Sequence, residues 1–539
     1  MNARPDTACV RGLPAPEHAP QALQLTVPPG GPPDLNQVPL RPRDALIIGT
    51  RPVPPDGRQT ASRARVRTSA LLLWLALGLL LGLLLPVRTV RAALPRPDLL
   101  IADVRLLDVA AGRIRGPHDV WIVGGRIAAI GAPGKLAVPT DVRRLAGRGL
   151  FLLPGLVDLH VHLFNNASGR APNTWTFPLF LAHGVTGVRE MAARPADLAM
   201  VRAWRTAVAH RELLAPRVLS AGVPVPGRGT GDIAQQVDAA AAAGADFIKV
   251  FSEISASDWR TVLAAAQSRR LPVAGHVPAA LSLASTAVAG LSSSEHLMQA
   301  FEACTRQEAQ WLAPRAGLGG AALLAVRDRQ EPAILAAFDA RVCRHRLRAL
   351  QPAGQAQIPT LVLYRAESQA SSAAPEADPR WPWLRADEQA RWLRIHAAMA
   401  QTAPGLAAQR WRVARRLVGQ MQRVQLPVLA GTDTPMPGVY PGWSLHEELA
   451  SLVDAGLTPA QALYAATLGP ARWLGLADRR GRVAPGQDAD LVLLDANPLR
   501  DIRHSRRIRA VILAGRLLDR AQLDRLLEDA RLAVPGGRP

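Results

Sequence analysis

Hydrophobic and polar positions follow different rhythms in successive parts of the chain. From residue 99 to about 146, apolar residues come in short alternating runs. Examples are Leu99-Leu-Ile-Ala-Asp-Val-Arg-Leu-Leu-Asp108 and Asp119-Val-Trp-Ile-Val-Gly-Gly-Arg-Ile-Ala-Ala-Ile130. Period-two alternation interrupted by a glycine pair predicts strands joined by a hairpin. Between about 150 and 470, short apolar runs are separated by long alanine-rich stretches, the alternation expected of βα units and a parallel sheet. Apolar runs at 151–163, 185–191, 217–225, 246–251, 272–277, 292–297, 358–364 and 427–432 predict eight strands, the number a closed (β/α)8 barrel needs. Helical insertions would occupy 300–356 and 366–424. Residues 450–476 predict two packed helices, with a start at Thr458-Pro459.

Short strands with turns return at 481–495 and 508–516. A β-segment as small as 93–150 cannot bury a core by itself. The pattern therefore predicts a small discontinuous β-sandwich domain, built from 93–150 and 476–539, around a TIM-like α/β barrel at 151–475, with a C-terminal helix. An open doubly wound sheet is the alternative, but the glycine-rich phosphate loop typical of such sheets is missing from the sequence.

Ahead of this lie residues 1–68, rich in Pro, Arg and Gly without periodicity, which predict a disordered extension. Residues 69–87 are an almost unbroken Leu/Ala/Gly run preceded by Arg63, Arg65 and Arg67. That run is long enough for a transmembrane span or for the core of a signal peptide ending at residue 92. Its basic flank comes first, so the expected location of the globular part is periplasmic or secreted, or membrane-anchored outside the cytoplasm. A start near Val66 would give a signal peptide of ordinary length.

The formal charge of +21 raises the question of nucleic acid, but the arginines are scattered and aromatic residues are only 4%. A small-molecule substrate is expected instead, with no nucleic-acid partner and membrane contact only through the N-terminal run. The three cysteines, Cys9, Cys304 and Cys343, match no zinc spacing. After export Cys304 and Cys343 could pair, or could remain two buried thiols.

Candidate chemistry gathers at strand ends, where barrel active sites form. His160 and His162 stand two apart on one apolar run and so share a face; alone they are a weak signal. His276 in Pro272-Val-Ala-Gly-His276, His296 in Ser292-Ser-Ser-Glu-His296 and Asp433 in Ala430-Gly-Thr-Asp433 strengthen it. Lys249 interrupts Phe247-Ile-Lys-Val-Phe251 in a chain whose only other lysine is Lys135. A buried amine can lose its proton and act as a nucleophile, toward a carbonyl as a Schiff base or toward CO2 as a carbamate; guanidinium cannot. Tyr364 and Arg365, after the seventh apolar run, are candidate substrate contacts. Arg189 and Glu190 are a candidate ion pair at the barrel mouth, His446 a supporting or capping residue, and His183 a structural one.

These residues resemble the amidohydrolase superfamily, specifically its imidazolonepropionase-related branch with a binuclear metal centre. The resemblance runs from about 99 to 519, through Pro154-Gly-Leu-Val-Asp-Leu-His-Val-His162, Ala430-Gly-Thr-Asp433 and Gly486-Gln-Asp-Ala-Asp-Leu-Val-Leu-Leu-Asp495. It implies two divalent ions, zinc by preference: His160, His162 and Asp433 on one, His276 and His296 on the other, and a CO2-derived carbamate on Lys249 between them. Imidazolonepropionase itself resembles a one-metal enzyme without this lysine, so amidase, dipeptidase and lactonase members are the better guide. The expected function is metal-dependent hydrolysis of an amide-type C–N bond in a dipeptide or N-acyl amino acid, with Asp433 moving the proton. The alternatives are a cyclic-amide or lactone hydrolase, or a non-catalytic membrane-tethered binding protein on the same barrel.

Overall fold

The computed structural model describes residues 98–532, apart from 138, 165–170, 228–230, 373 and 402–403. The N-terminal extension, the apolar run at 69–87 and Cys9 lie outside the described residues.

Strands β1 (Leu99–Asp108), β2 (Arg113–Val123), β3 (Arg126–Gly131), β4 (Arg144–Ala146) and β5 (Phe151–Pro154) open the described chain. Then come β6 (Leu156–Val161), β7 (Val185–Glu190), β8 (Arg217–Pro224), β9 (Phe247–Val250), β10 (Val273–Gly275), β11 (Leu291–Glu295) and β12 (Ala356–Ile358). Last are β13 (Leu491–Leu494), β14 (Ile508–Leu513) and β15 (Arg516–Asp519), followed by a helix at Arg520–Leu532.

The chain has the expected α/β architecture. Strands β6 to β12 pair in parallel in sequence order, and a separate mixed sheet runs β15-β14-β13-β5-β1-β2-β3, with β4 beside β1. The mixed sheet joins strands from both ends of the globular part. Its apolar faces share one core, with Ile101, Val104 and Ile122 from one end and Leu491, Leu493 and Ile512 from the other.

Three departures from the sequence reading matter for the site. The run at 151–163 is two strands, because Gly155 breaks it: β5 pairs with β13, and β6 opens the barrel. A Cβ at Gly155 would stand 2.0 Å from Thr186 Oγ1, so only glycine permits this approach. The stretch 427–432 is not a ladder strand, yet it fills the eighth position. Parallel bridges Gln357↔Val428 and Val161↔Thr434 close the ring between β12 and β6. Gly431 makes this possible, since a Cβ there would lie 2.6 Å from Ile358 Cγ2. Buried Asp158 sews the seam shut, accepting from Thr432 N at 3.0 Å and Thr432 Oγ1 at 2.7 Å. Burial pushes its carboxyl up to about 7 against the pull of these bonds. Finally, the run at 358–364 is strand only to Ile358, and a helix starts at Leu361 (Leu361–Gln369). Thr360, at φ 46°, turns the chain between them, so Tyr364 and Arg365 are helical.

The transmembrane expectation is corrected for the described residues alone: no helix among them is long and apolar enough to cross a membrane. The longest, Pro404–Arg423, carries five arginines. Cys304 and Cys343 are joined as a disulfide, tying the end of the helix Ala300–Ala303 to the helix Ala340–Arg348. His183 and His446 are structural. His183 Nδ1 donates to Leu179 O, and His446 links Ser505 Oγ and His183 O, each at 2.9 Å.

Candidate metal centre

The C-terminal ends of the barrel strands open into a cavity of about 640 Å³, and His160, His162, Lys249, His276, His296 and Asp433 all face it. His160 lies within β6 and His162 just past its end. Lys249 is in β9, while His276 and His296 directly follow β10 and β11. Asp433 ends the irregular eighth stave, its N–H donating to His160 O at 2.8 Å.

The imidazoles are oriented from behind. His160 Nδ1 lies 2.8 Å from Glu295 Oε2, His276 Nδ1 3.0 Å from Ser252 Oγ, and His296 Nδ1 2.8 Å from Thr360 Oγ1. Each of the three rings is thus held through Nδ1, which leaves Nε2 for a ligand, the arrangement by which proteins aim metal-binding histidines. His160 Nε2 is buried without a hydrogen-bond partner, although Asp433 Oδ1 is 3.1 Å away. Asp433 Oδ1 also lies 2.9 Å from His162 Nε2. Ligand atoms of His160, His162 and Asp433 fall within 4.8 Å of one another. The rings of His160 and His296 are 4.5 Å apart between centroids, and those of His276 and His296 4.9 Å. A buried, partnerless imidazole nitrogen beside a carboxylate fits a divalent cation in donor type and in spacing.

Lys249 is buried, its ammonium 5.2 Å from the Phe251 ring centroid. Burial lowers its pKa to about 8, with Glu295 and Asp433 pulling the other way. Gly275, at φ 131°, leaves room for its stem: a Cβ there would meet Lys249 Cδ at 2.8 Å and Val250 O at 2.4 Å. Burial would raise the Asp433 carboxyl, but its interactions with the adjoining His296, His160 and His162 imidazoles hold it well below the usual range. Burial drives the His276 imidazole well below its ordinary value and His296 to about 3, so both favour the neutral, metal-ligating form.

The backbone at this rim is unusual. His296, Leu297, Gln299, Thr360 and Asp433 all have positive φ, from 46° to 69°. Such conformations are uncommon outside glycine and gather at functional sites.

The expected Arg189–Glu190 ion pair does not form. Arg189, fully buried between the Phe247 and Trp473 rings, pairs instead with Glu295 at 2.6 Å and donates to Leu159 O and Ser293 Oγ. Glu190 accepts from the backbone N–H groups of Leu163 and Ala192. Glu295, beside His296, is not among the candidates of the sequence pattern, although an acid in an otherwise buried strand is a legible signal. Tyr364 lines the cavity, but its hydroxyl donates to His296 O, which buttresses the rim. Arg365 faces a different groove, beside Trp411 and His446. Arg410, which no pattern singled out, takes its place in the cavity wall.

Residues 409–518 match the Amidohydrolase family. An adenine deaminase of Klebsiella pneumoniae is 42% identical over 91 residues, which are 17% of this chain and 14% of that protein. An imidazolonepropionase of Deinococcus deserti is 44% identical over 79 residues, 14% of this chain and 19% of that protein. These matches span less than a fifth of the relatives' lengths. Among solved structures, a bottromycin amidohydrolase superposes with a TM-score of 0.62 at 24% identity, covering 81% of this chain and 90% of that one. A putative prolidase from Bifidobacterium longum gives 0.53 at 23% identity, covering 81% and 99%. The family match is confined to residues 409–518, and over the described chain the likeness to these amidohydrolase structures is one of fold.

Proposed function

We propose that the chain is a metal-dependent hydrolase that cleaves an amide-type C–N bond in a small substrate, a dipeptide or an N-acyl amino acid. One observation carries this reading: three imidazoles, each fixed through Nδ1, face one cavity together with a buried lysine and an ionised aspartate. His160, His162 and Asp433 would hold one cation, and His276 and His296 a second, with Lys249 as a carbamate between them. Imidazole-rich sites suit zinc. Bound there, the cations supply Lewis acidity, which makes water a nucleophile at neutral pH and polarises a carbonyl.

The protein's own groups do the rest. Asp433 faces the reacting bond as a carboxylate; it takes the proton of the attacking water and returns it to the leaving nitrogen, giving acid and amine. Glu295 and Arg189 keep His160 from turning. The names of the relatives and neighbours, deaminase and prolidase among them, support chemistry at carbon bonded to nitrogen. The Cys304–Cys343 disulfide supports work in a periplasmic or extracellular setting, where such bonds persist.

Zinc-loaded protein assayed with dipeptides, N-acyl amino acids, lactones and adenine tests the proposal. Turnover of a peptide or N-acyl amide is expected, falling by about a hundredfold or more on chelation and returning with zinc. Lactone turnover alone, or adenine turnover alone, would redirect the substrate class. No turnover with metal bound would favour a binding protein.

A further inference from the structure

Besides the histidines, the cavity is walled by three helices: Glu331 lies on Gly320–Ala336, Glu367 on Leu361–Gln369 and Arg410 on Pro404–Arg423. Charge on this wall does not balance. Glu302 has its own partner in Arg315 at 2.9 Å, and Asp328 has Arg327 at 2.7 Å. Glu331 and Glu367, by contrast, share a single cation. Arg410 Nε and Nη2 donate to the two oxygens of Glu331 at 2.5 Å, and Nη1 donates to Glu367 Oε2 at 2.9 Å. Two carboxylates on one guanidinium leave one negative charge facing the cavity. All three side chains are only partly exposed, 18% for Arg410 and 25% for each acid, so solvent screens that charge incompletely. Burial raises the Glu367 carboxyl first of all; Arg410 pulls it down, and the neighbouring acids Glu331 and Asp433 push it up again.

We propose that Glu331 and Glu367 are specificity determinants that receive a positively charged nitrogen of the substrate. The inference rests on the hydrolase reading above and refines it. A carboxylate-bearing group would meet an arginine already held by two acids; an ammonium meets the unbalanced charge. Two sources carry this chemistry, the α-ammonium of an unblocked dipeptide and the amine of a basic side chain. A substrate neutral at both places gains nothing from the wall.

Four peptides separate the cases: an unblocked neutral dipeptide, its N-acetyl form, and N-acetyl dipeptides carrying lysine or norleucine in the acyl-side position. Either the unblocked form over its acetylated twin, or lysine over norleucine, is expected to be favoured about tenfold to a hundredfold, through KM more than kcat. Glu331→Gln and Glu367→Gln should shrink that ratio toward one, whereas Glu367→Asp, which keeps the charge, retains part of it. Melting curves separate lost charge from unfolding. Calorimetry with phosphinic isosteres of the same peptides reads the preference without turnover. Equal or better use of the neutral members, or a ratio unchanged in both glutamine variants, overturns the inference while leaving the hydrolase reading intact. Absence of turnover for all four, with isosteres that still discriminate by charge, overturns the hydrolase reading instead.

Discussion

Replacing Asp433 by asparagine is expected to lower kcat/KM by about a thousandfold or more while leaving the melting temperature within a few degrees of the parent. General-base catalysis alone contributes about 10² to 10⁴, and the same carboxylate would ligate a cation. Asparagine is the informative exchange because it accepts the left-handed backbone that residue 433 adopts, at φ 69°. It also keeps an oxygen that can face His160 and His162, now 3.1 and 2.9 Å from Oδ1. What it loses is the charge and the ability to carry a proton. Steady-state kinetics alongside thermal melting check this, and a loss smaller than about tenfold would remove Asp433 from the reaction.

The largest effect on stability is expected from Arg189→Met. Arg189 and Glu295 are both fully buried and 2.6 Å apart, with the glutamate also holding His160 Nδ1. Deleting one partner of such a pair costs about 3–5 kcal/mol, because the other is left charged in a poor solvent. In the parent, burial would raise the Glu295 carboxyl, but Arg189 and the bond to His160 outweigh it and hold it well below the usual range. A depressed carboxylate contributes stability above its unfolded pKa, about 4.3, and loses it as pH falls toward the folded value. Without the guanidinium, burial raises the folded pKa instead, so the acid takes up a proton on folding at moderately low pH. The deficit of the variant should therefore be greatest at neutral pH and narrow on acidification. Denaturant titrations at neutral and acidic pH test the sign. The double variant Arg189→Met/Glu295→Gln should recover part of the loss, since no unpaired charge remains buried.

These two positions also show how legible the protein was from its sequence. His160, His162, His276, His296, Lys249 and Asp433 stood out because polar residues at the ends of apolar runs are costly without a task, and the fold brings all six to one cavity. Arg189 was visible for the same reason, but its partner was not. Adjacent residues of a strand point to opposite faces, so Glu190 could not serve, and Glu295 is 106 positions away in the sequence. The boundary after Ile358 was hidden because Leu-Val-Leu-Tyr reads equally as strand or buried helix, and a positive φ at Thr360 leaves no trace in composition. Arg410 had no signal: it lies in a helix with four other arginines, and only the packing of three insertion helices turns it toward the cavity.

The central claim, that Lys249 helps hold a pair of cations, is tested most directly by counting metal in the parent and in Lys249→Arg, both prepared with zinc and bicarbonate. Arginine keeps the positive charge and much of the bulk but cannot form a carbamate. The account predicts about two zinc ions per chain in the parent and no more than about one in the variant. One ion in the parent, or two in the variant, would contradict it.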